Sequence, residues 1–142
     1  MTDDYYLNEV LKYAVNHDVK YTLAYLLSPI TPSTSNPKNR RIVINMNFHD
    51  QGQLAYQAAH EVRHVINEDS GRLYLFSASK NSIEGAANKG AIDILVPIYF
   101  DEIEEDDANV NCFLDALHIP YTMFDWAVQS IEDYYFERKY GY

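Results

Sequence analysis

The chain has 142 residues, of which 47% are hydrophobic, so it is long enough and apolar enough to bury a core. Its net charge of -10 argues against direct nucleic-acid binding, which needs a basic face. Its single cysteine, Cys112, excludes an intrachain disulfide and is interpreted as a small buried hydrophobe. We find no signal-peptide pattern and no apolar run of membrane-spanning length, and therefore expect a cytoplasmic protein.

The first third of the chain predicts a helix, two strands and an intervening loop. Apolar residues recur at helical spacing from Tyr6 to Ala14 after two aspartates, which suit the start of a helix. Residues 19–27 are rich in β-branched and aromatic residues and predict a strand, whereas the three prolines in 28–39 predict a loop. Residues 40–46 predict a second strand.

The next segment, residues 51–67, predicts a helix that begins after Asp50 as its N-cap. Its core-facing side is predicted by apolar residues at helical spacing, namely Leu54, Ala58, Val62 and Val65. This helix contains the pattern H-E-x-x-H. Residues four apart lie on one helix face, so His60 and His64 can reach the same metal ion, while Glu61 can serve as a general base. The alternative is a helix that exposes two unrelated histidines around a solvated glutamate.

A catalytic zinc ion takes three protein ligands, so a third is required. Glu84 follows His64 by twenty residues and opens a second predicted helix, 83–95, which Pro97 is expected to end. Asn88 lies one turn after Glu84, where its oxygen can accept the outer N–H of a metal-bound imidazole. The alternative for Glu84 is a solvated acid in the first turn of a helix, where negative charge is favoured anyway.

Three blocks of the sequence resemble the ImmA/IrrE metallopeptidases: Arg41–Asn45, Ala58–His64 and Glu84–Asn88, the last followed by Ala91 and 94–97. The resemblance covers residues 40–97. It implies a zinc-dependent, gluzincin-like endopeptidase of the kind carried by phages and other mobile elements, which acts on a DNA-binding repressor of the helix-turn-helix type. By the same resemblance, His60, His64 and Glu84 bind the metal, Glu61 is the base, and Asn88 supports a ligand.

Three positions depart from the family pattern. Arg63 stands where the family usually has glycine, Gly90 stands where it has phenylalanine, and Val96 stands where it has methionine. An arginine at position 63 is long enough to extend its charge to solvent, to meet an acid, or to lean over the cleft and select carboxylates. Gly85 and Gly90 weaken their helix by up to ~1 kcal/mol each relative to alanine.

The remaining segments predict a short strand, an acidic segment and two further helices. Residues 72–76 are a candidate strand that could receive the substrate backbone as an added strand. Residues 101–107 hold six acids, interpreted as a solvated segment or a contact for a basic partner. Helices are predicted at 109–118 and 122–138, with Thr122 and Asp125 resembling a capping box. The other histidines are interpreted as solvated or capping residues: His17, His49 and His118. Candidate hydrogen-bond donors to the oxyanion of the reaction are Tyr56 and Tyr74.

We therefore expect residues 1–142 to form one α+β domain, mostly helical and zincin-like, with a short twisted sheet packed on the motif helix. The predicted function is zinc-dependent cleavage of a peptide bond in a protein substrate, and two imidazoles with a carboxylate also suit manganese. Two alternatives are a metal-binding protein that regulates a repressor by binding it without cutting, and a metal-free interaction protein.

Overall fold

The computed structural model describes residues 2–67, 74–76 and 82–141. These form an α+β arrangement of five helices and four short strands. In chain order the elements are α1 (Tyr5–Asn16), β1 (Lys20–Ala24), β2 (Thr34–Asn36), β3 (Arg41–Asn45), α2 (Leu54–Ile66), β4 (Tyr74–Leu75), α3 (Ser82–Tyr99), α4 (Val110–Ala116) and α5 (Phe124–Tyr140). Among the helices so described, none is long and apolar enough to cross a membrane.

The four strands form one mixed sheet in the order β1-β3-β2-β4. β1 and β3 are parallel, whereas β2 is antiparallel to both β3 and β4. Alternate residues of a strand point to opposite faces, and this places Ile42 and Ile44 together in the core, both fully buried. The face they occupy is covered by α2, which contacts both β3 and β2.

α2 is the central element of the fold. Eleven of its 13 residues are buried, because α1, α3 and the sheet all pack against it. A helix enclosed in this way is expected to be apolar on every side. α2 instead buries four polar residues, Gln57, His60, Glu61 and His64. Gln57 has a structural role, since its side-chain oxygen accepts the backbone N–H of Ser33 at 3.0 Å.

The predicted positions of the first helix, the second strand and the motif helix agree with the structure, but β2 was missed. It lies in 28–39, where the prolines predicted only a loop. Two of those prolines precede the strand and Pro37 follows it, in the first position of a short 3-10 turn (Pro37–Asn39). The strand is three residues long, too short for an alternating pattern to register. The strand predicted at 72–76 is observed as Tyr74–Leu75, and its first two residues lie outside the described residues.

Three predicted helix boundaries were wrong. Pro97 does not end α3, which continues to Tyr99; its missing N–H removes one hydrogen bond near the helix end, and Phe100 N–H still donates to the Val96 carbonyl. Asp50 makes no capping bond, because its carboxylate is engaged by His118 at 2.6 Å. Thr122 lies within a 3-10 turn and the capping box is not formed.

Asn45 fixes the loop between β1 and β2. Its buried amide nitrogen donates to the carbonyls of Ser28 (2.8 Å) and Thr31 (2.6 Å), and its oxygen accepts from Asn47 N–H (2.9 Å). The side chain therefore serves as the hydrogen-bond partner for three backbone groups of two neighbouring loops. Removing this fully buried side chain leaves those part-buried groups without that partner.

We expect Asn45→Ala to lower the free energy of unfolding by about 2–4 kcal/mol, the sum of three lost hydrogen bonds to buried or half-buried groups. The matched control is Asn47→Ala, which removes one exposed side-chain bond, to the Leu27 carbonyl, and is expected to cost less than about 1 kcal/mol. Urea unfolding of the two variants measures both values. Equal losses in both would contradict the role assigned to Asn45.

Candidate metal centre

Two imidazoles lie one above the other on the buried face of α2. His60 and His64 have no exposed surface, and their Nε2 atoms are 3.1 Å apart. The four-residue separation on a regular helix brings them together, as the sequence predicted. Their burial excludes the alternative of two solvated surface histidines.

Glu84 brings a carboxylate to the same point from the first turn of α3. Its Oε2 lies 2.8 Å from Nε2 of His60 and 2.8 Å from Nε2 of His64. Three donor atoms from two helices thus converge, and these three residues form a group that could hold a metal ion. Ligands placed tetrahedrally at 2.0–2.1 Å from an ion stand roughly 3.3 Å apart, slightly wider than the separations seen here. The donor set and its spacing therefore fit a divalent ion after a small outward adjustment.

The electrostatic environment favours the ligating form of both His60 and Glu84. Burial lowers the pKa of His60, and the nearby His64 adds to this effect against the opposing hydrogen bond to Glu84. Burial alone would raise the pKa of Glu84, but the hydrogen bonds and charges of the two histidines outweigh it, so the pKa of that carboxyl is lowered. Neutral imidazole and ionised carboxylate are the states that bind metal.

Glu61 is the most unusual polar group of α2. It is fully buried, its Oε2 lies 4.0 Å from Nε2 of His60, and neither carboxyl oxygen has a hydrogen-bond partner among the described residues. Burial raises its pKa well above the usual range, and the charge of Glu84 adds to the shift. The Ser35 hydroxyl opposes the shift, although its oxygen does not reach hydrogen-bonding geometry with the carboxyl. A carboxyl in this environment has a high affinity for a proton.

A second layer of contacts supports His60. The predicted partner, Asn88, faces Nδ1 of His60 with its Oδ1 at 2.8 Å. Tyr56, considered from the sequence as an oxyanion donor, instead donates its hydroxyl to that same Oδ1 at 3.0 Å. The ring of Phe76 meets His60 edge-on, with centroids 4.9 Å apart. The position of Tyr56 one turn before His60 was visible in the sequence, but its partner was not, because that partner lies on another helix.

Arg63 and Gly90, two of the residues at which the sequence differs from the ImmA/IrrE pattern that it resembles, are in contact with each other. The aliphatic part of Arg63 lies against the backbone of α3 at Gly90, so closely that a Cβ there would come within 2.2–2.8 Å of the arginine side chain. The terminal nitrogen of Arg63 donates to Asn67 at 3.2 Å. Burial raises the pKa of Asp93, and the charge of Arg63 opposes that shift. The arginine thus occupies the space that the glycine leaves open.

The remaining histidines and the cysteine are outside this group. His17 contacts the Tyr13 carbonyl at a helix end, and His118 contacts Asp50 and covers Gly52. His49 is exposed in a loop. The prediction that Cys112 is buried was wrong: it is exposed on α4, because the buried face of this short helix is formed by Phe113 and Leu114. The side chain of Tyr74 is outside the described residues.

No family model matches the chain, and neither the curated proteins nor the solved structures include a match to it.

The contact between Arg63 and Gly90 predicts an energetic coupling. In an Arg63→Ala background, Gly90→Ala is expected to raise the free energy of unfolding by up to ~1 kcal/mol, because alanine favours the helix. With Arg63 present the gain is expected to be cancelled or reversed, because the new Cβ displaces the arginine side chain. Urea unfolding of the four proteins of this cycle gives the coupling energy. A change of the same size in both backgrounds would show that the two residues act independently.

Proposed function

We propose that this chain is a zinc-dependent endopeptidase with a zincin-like fold. His60, His64 and Glu84 hold the ion, and Glu61 is the general base. The observation that carries the proposal is the carboxyl of Glu61, which is fully buried beside three converging ligand atoms and has no hydrogen-bond partner in the described part of the chain. An unpaired buried carboxyl is costly, and such groups persist where the chemistry of a site uses them.

The number of ligands supports a catalytic rather than a structural site. Structural zinc sites are closed by four protein ligands, whereas catalytic sites keep a position open. Among the residues that the structure describes, the cluster contains three protein ligands, with Glu61 adjacent to them rather than among them. The set of two imidazoles and one carboxylate suits zinc and also other divalent ions such as manganese.

The residues divide the work of hydrolysis between them. A divalent ion in this site would polarise a peptide carbonyl and make a water molecule more acidic. Glu61 takes a proton from that water and returns it to the amine that leaves. Asn88 keeps the imidazole of His60 in one orientation.

The substrate class follows from charge and from the family resemblance. The chain carries a net charge of -10, which favours a basic protein partner over nucleic acid. We propose a DNA-binding repressor of the helix-turn-helix type as that partner, encoded by a phage or other mobile element. Encounter would take place in the cytoplasm.

A second candidate is a metal-binding protein that regulates a repressor by binding it without cutting. The observation that favours it is the enclosure of the site by the described residues. Of the three ligands and the base, only the side chain of Glu84 has exposed surface, 14%. A peptide would therefore have to approach from the Glu84 side.

Measurements of metal binding distinguish the proposed ligands from the proposed base, Glu61. We expect the wild-type protein to bind one zinc ion per chain and His60→Ala to lose stoichiometric binding, because one of three ligands is gone. Glu61→Gln keeps all three ligands and is expected to bind zinc as the wild type does. Titration against a chromophoric chelator measures all three proteins. A wild-type protein that binds no divalent ion would refute the metal site.

Cleavage separates the two candidate functions. We expect a helix-turn-helix repressor incubated with zinc-loaded wild type to be cut, and a chelator to stop the reaction. Glu61→Gln, which still binds zinc, is expected to be slower by about 10²–10⁴-fold, because the proton acceptor is lost. Electrophoresis followed by mass spectrometry of the fragments provides the measurement. An intact repressor that co-elutes with the protein would instead support regulation by binding.

A further inference from the structure

We propose that Tyr56 is a positioning residue of the metal centre, whose hydroxyl holds the Asn88 amide with its oxygen towards His60. The inference rests on the proposed metal site and adds a third layer to it. Tyr56 donates to Oδ1 of Asn88 at 3.0 Å, and Nδ1 of His60 lies 2.8 Å from the same oxygen. Two donors therefore meet at one acceptor, and both bonds require the same orientation of the amide.

The orientation of the amide determines which nitrogen of His60 carries its proton. With the Asn88 oxygen towards Nδ1, that nitrogen can keep its proton while Nε2, which faces Glu84, gives its lone pair to a metal ion. A flipped amide would present its NH₂ group to Nδ1 instead. The proton would then be favoured on Nε2, and the lone pair of that nitrogen would be less available to a metal ion.

The hydroxyl is the only polar atom of the Tyr56 side chain, which is otherwise embedded in the core. The residue is fully buried, and its ring meets Phe76 edge-on with centroids 5.7 Å apart. Burial raises the pKa of the phenol, so the group keeps its proton and remains a donor throughout the neutral range. The ring packs in the core, whereas the hydroxyl orients the Asn88 amide. Tyr56→Phe therefore removes the hydrogen bond to Asn88 and keeps the packing of the ring.

The chain spacing explains how the contact arises. Tyr56 precedes His60 by one turn of α2, and Asn88 follows Glu84 by one turn of α3. Each helix therefore supplies a ligand together with a supporting residue on the same face. Packing α2 against α3 brings the two supporting side chains together at the same time as the ligands.

The test compares zinc affinities, measured by competition with a chromophoric chelator. Loss of a group bonded directly to a ligand weakens metal binding about 10–100-fold. Tyr56 acts one step further out, so we expect Tyr56→Phe to weaken binding by about three- to tenfold. The matched control is Tyr135→Phe, which removes the hydroxyl of another core tyrosine, bonded at 2.6 Å to the Ile103 carbonyl away from the site. The control is expected to bind zinc with wild-type affinity.

A second variant tests the amide orientation itself. Aspartate at position 88 offers oxygen on both sides and has no orientation to lose, so the effect of Tyr56→Phe is expected to vanish in an Asn88→Asp background. ¹⁵N NMR of the zinc-loaded protein gives a readout that a packing role would not change. The Nδ1–H of His60 is expected to exchange with solvent faster in Tyr56→Phe than in the wild type or in Tyr135→Phe.

The outcomes distinguish this inference from the proposed function. Wild-type zinc affinity and unchanged His60 exchange in Tyr56→Phe would overturn the role of Tyr56 and leave the metal site intact. An equal loss of affinity in the Asn88 and Asn88→Asp backgrounds would assign the effect to packing and also overturn it. A wild-type protein that binds no zinc would refute the metal site and this inference together.

Discussion

The structure depends on burying two imidazoles and a carboxyl on a helix that is enclosed by the rest of the fold. His60, Glu61 and His64 have no exposed surface, so each must find a partner inside the protein or leave a polar group without one. His60 has Asn88 on one nitrogen and Glu84 on the other, and His64 shares Glu84. Glu61 has no partner among the described residues. The proposed chemistry depends on this difference: the histidine ligands are hydrogen-bonded to described residues, whereas the neighbouring carboxyl of Glu61 is not.

The second constraint is the close approach of α2 and α3. The buried face of α3 includes small residues at helical spacing, Ala87, Gly90 and Ala91, and the aliphatic part of Arg63 lies over the glycine. This packing places Glu84 and Asn88 opposite the histidines, so the geometry of the cluster follows from the spacing of the two helices. Arg63 belongs to this helix contact, since Gly90 provides the room that its side chain needs.

Much of the site could be predicted because it depends on periodicity. A four-residue separation on a helix brings His60 and His64 together in any fold that keeps the helix, and the same rule places Asn88 beside Glu84. The elements that were missed depend on short segments or on remote contacts. β2 is three residues long, and Pro97 is tolerated because α3 ends two residues later. Asp50 contacts the imidazole of His118 instead of capping a helix. Local pattern carries no information about such partners.

The sequence by itself determined the types of residue in the site and their order along two helices, because helical spacing is a local property of the chain. Only the tertiary structure decided that the two helices meet, that Glu84 reaches both imidazoles, and that the buried Glu61 has no hydrogen-bond partner among the residues described. It also showed that the Tyr56 hydroxyl donates to the side-chain oxygen of Asn88, whereas the sequence had suggested Tyr56 as an oxyanion donor. These are contacts between residues more than twenty positions apart in most cases, and they depend on how side chains fill a shared interior, which no single segment specifies.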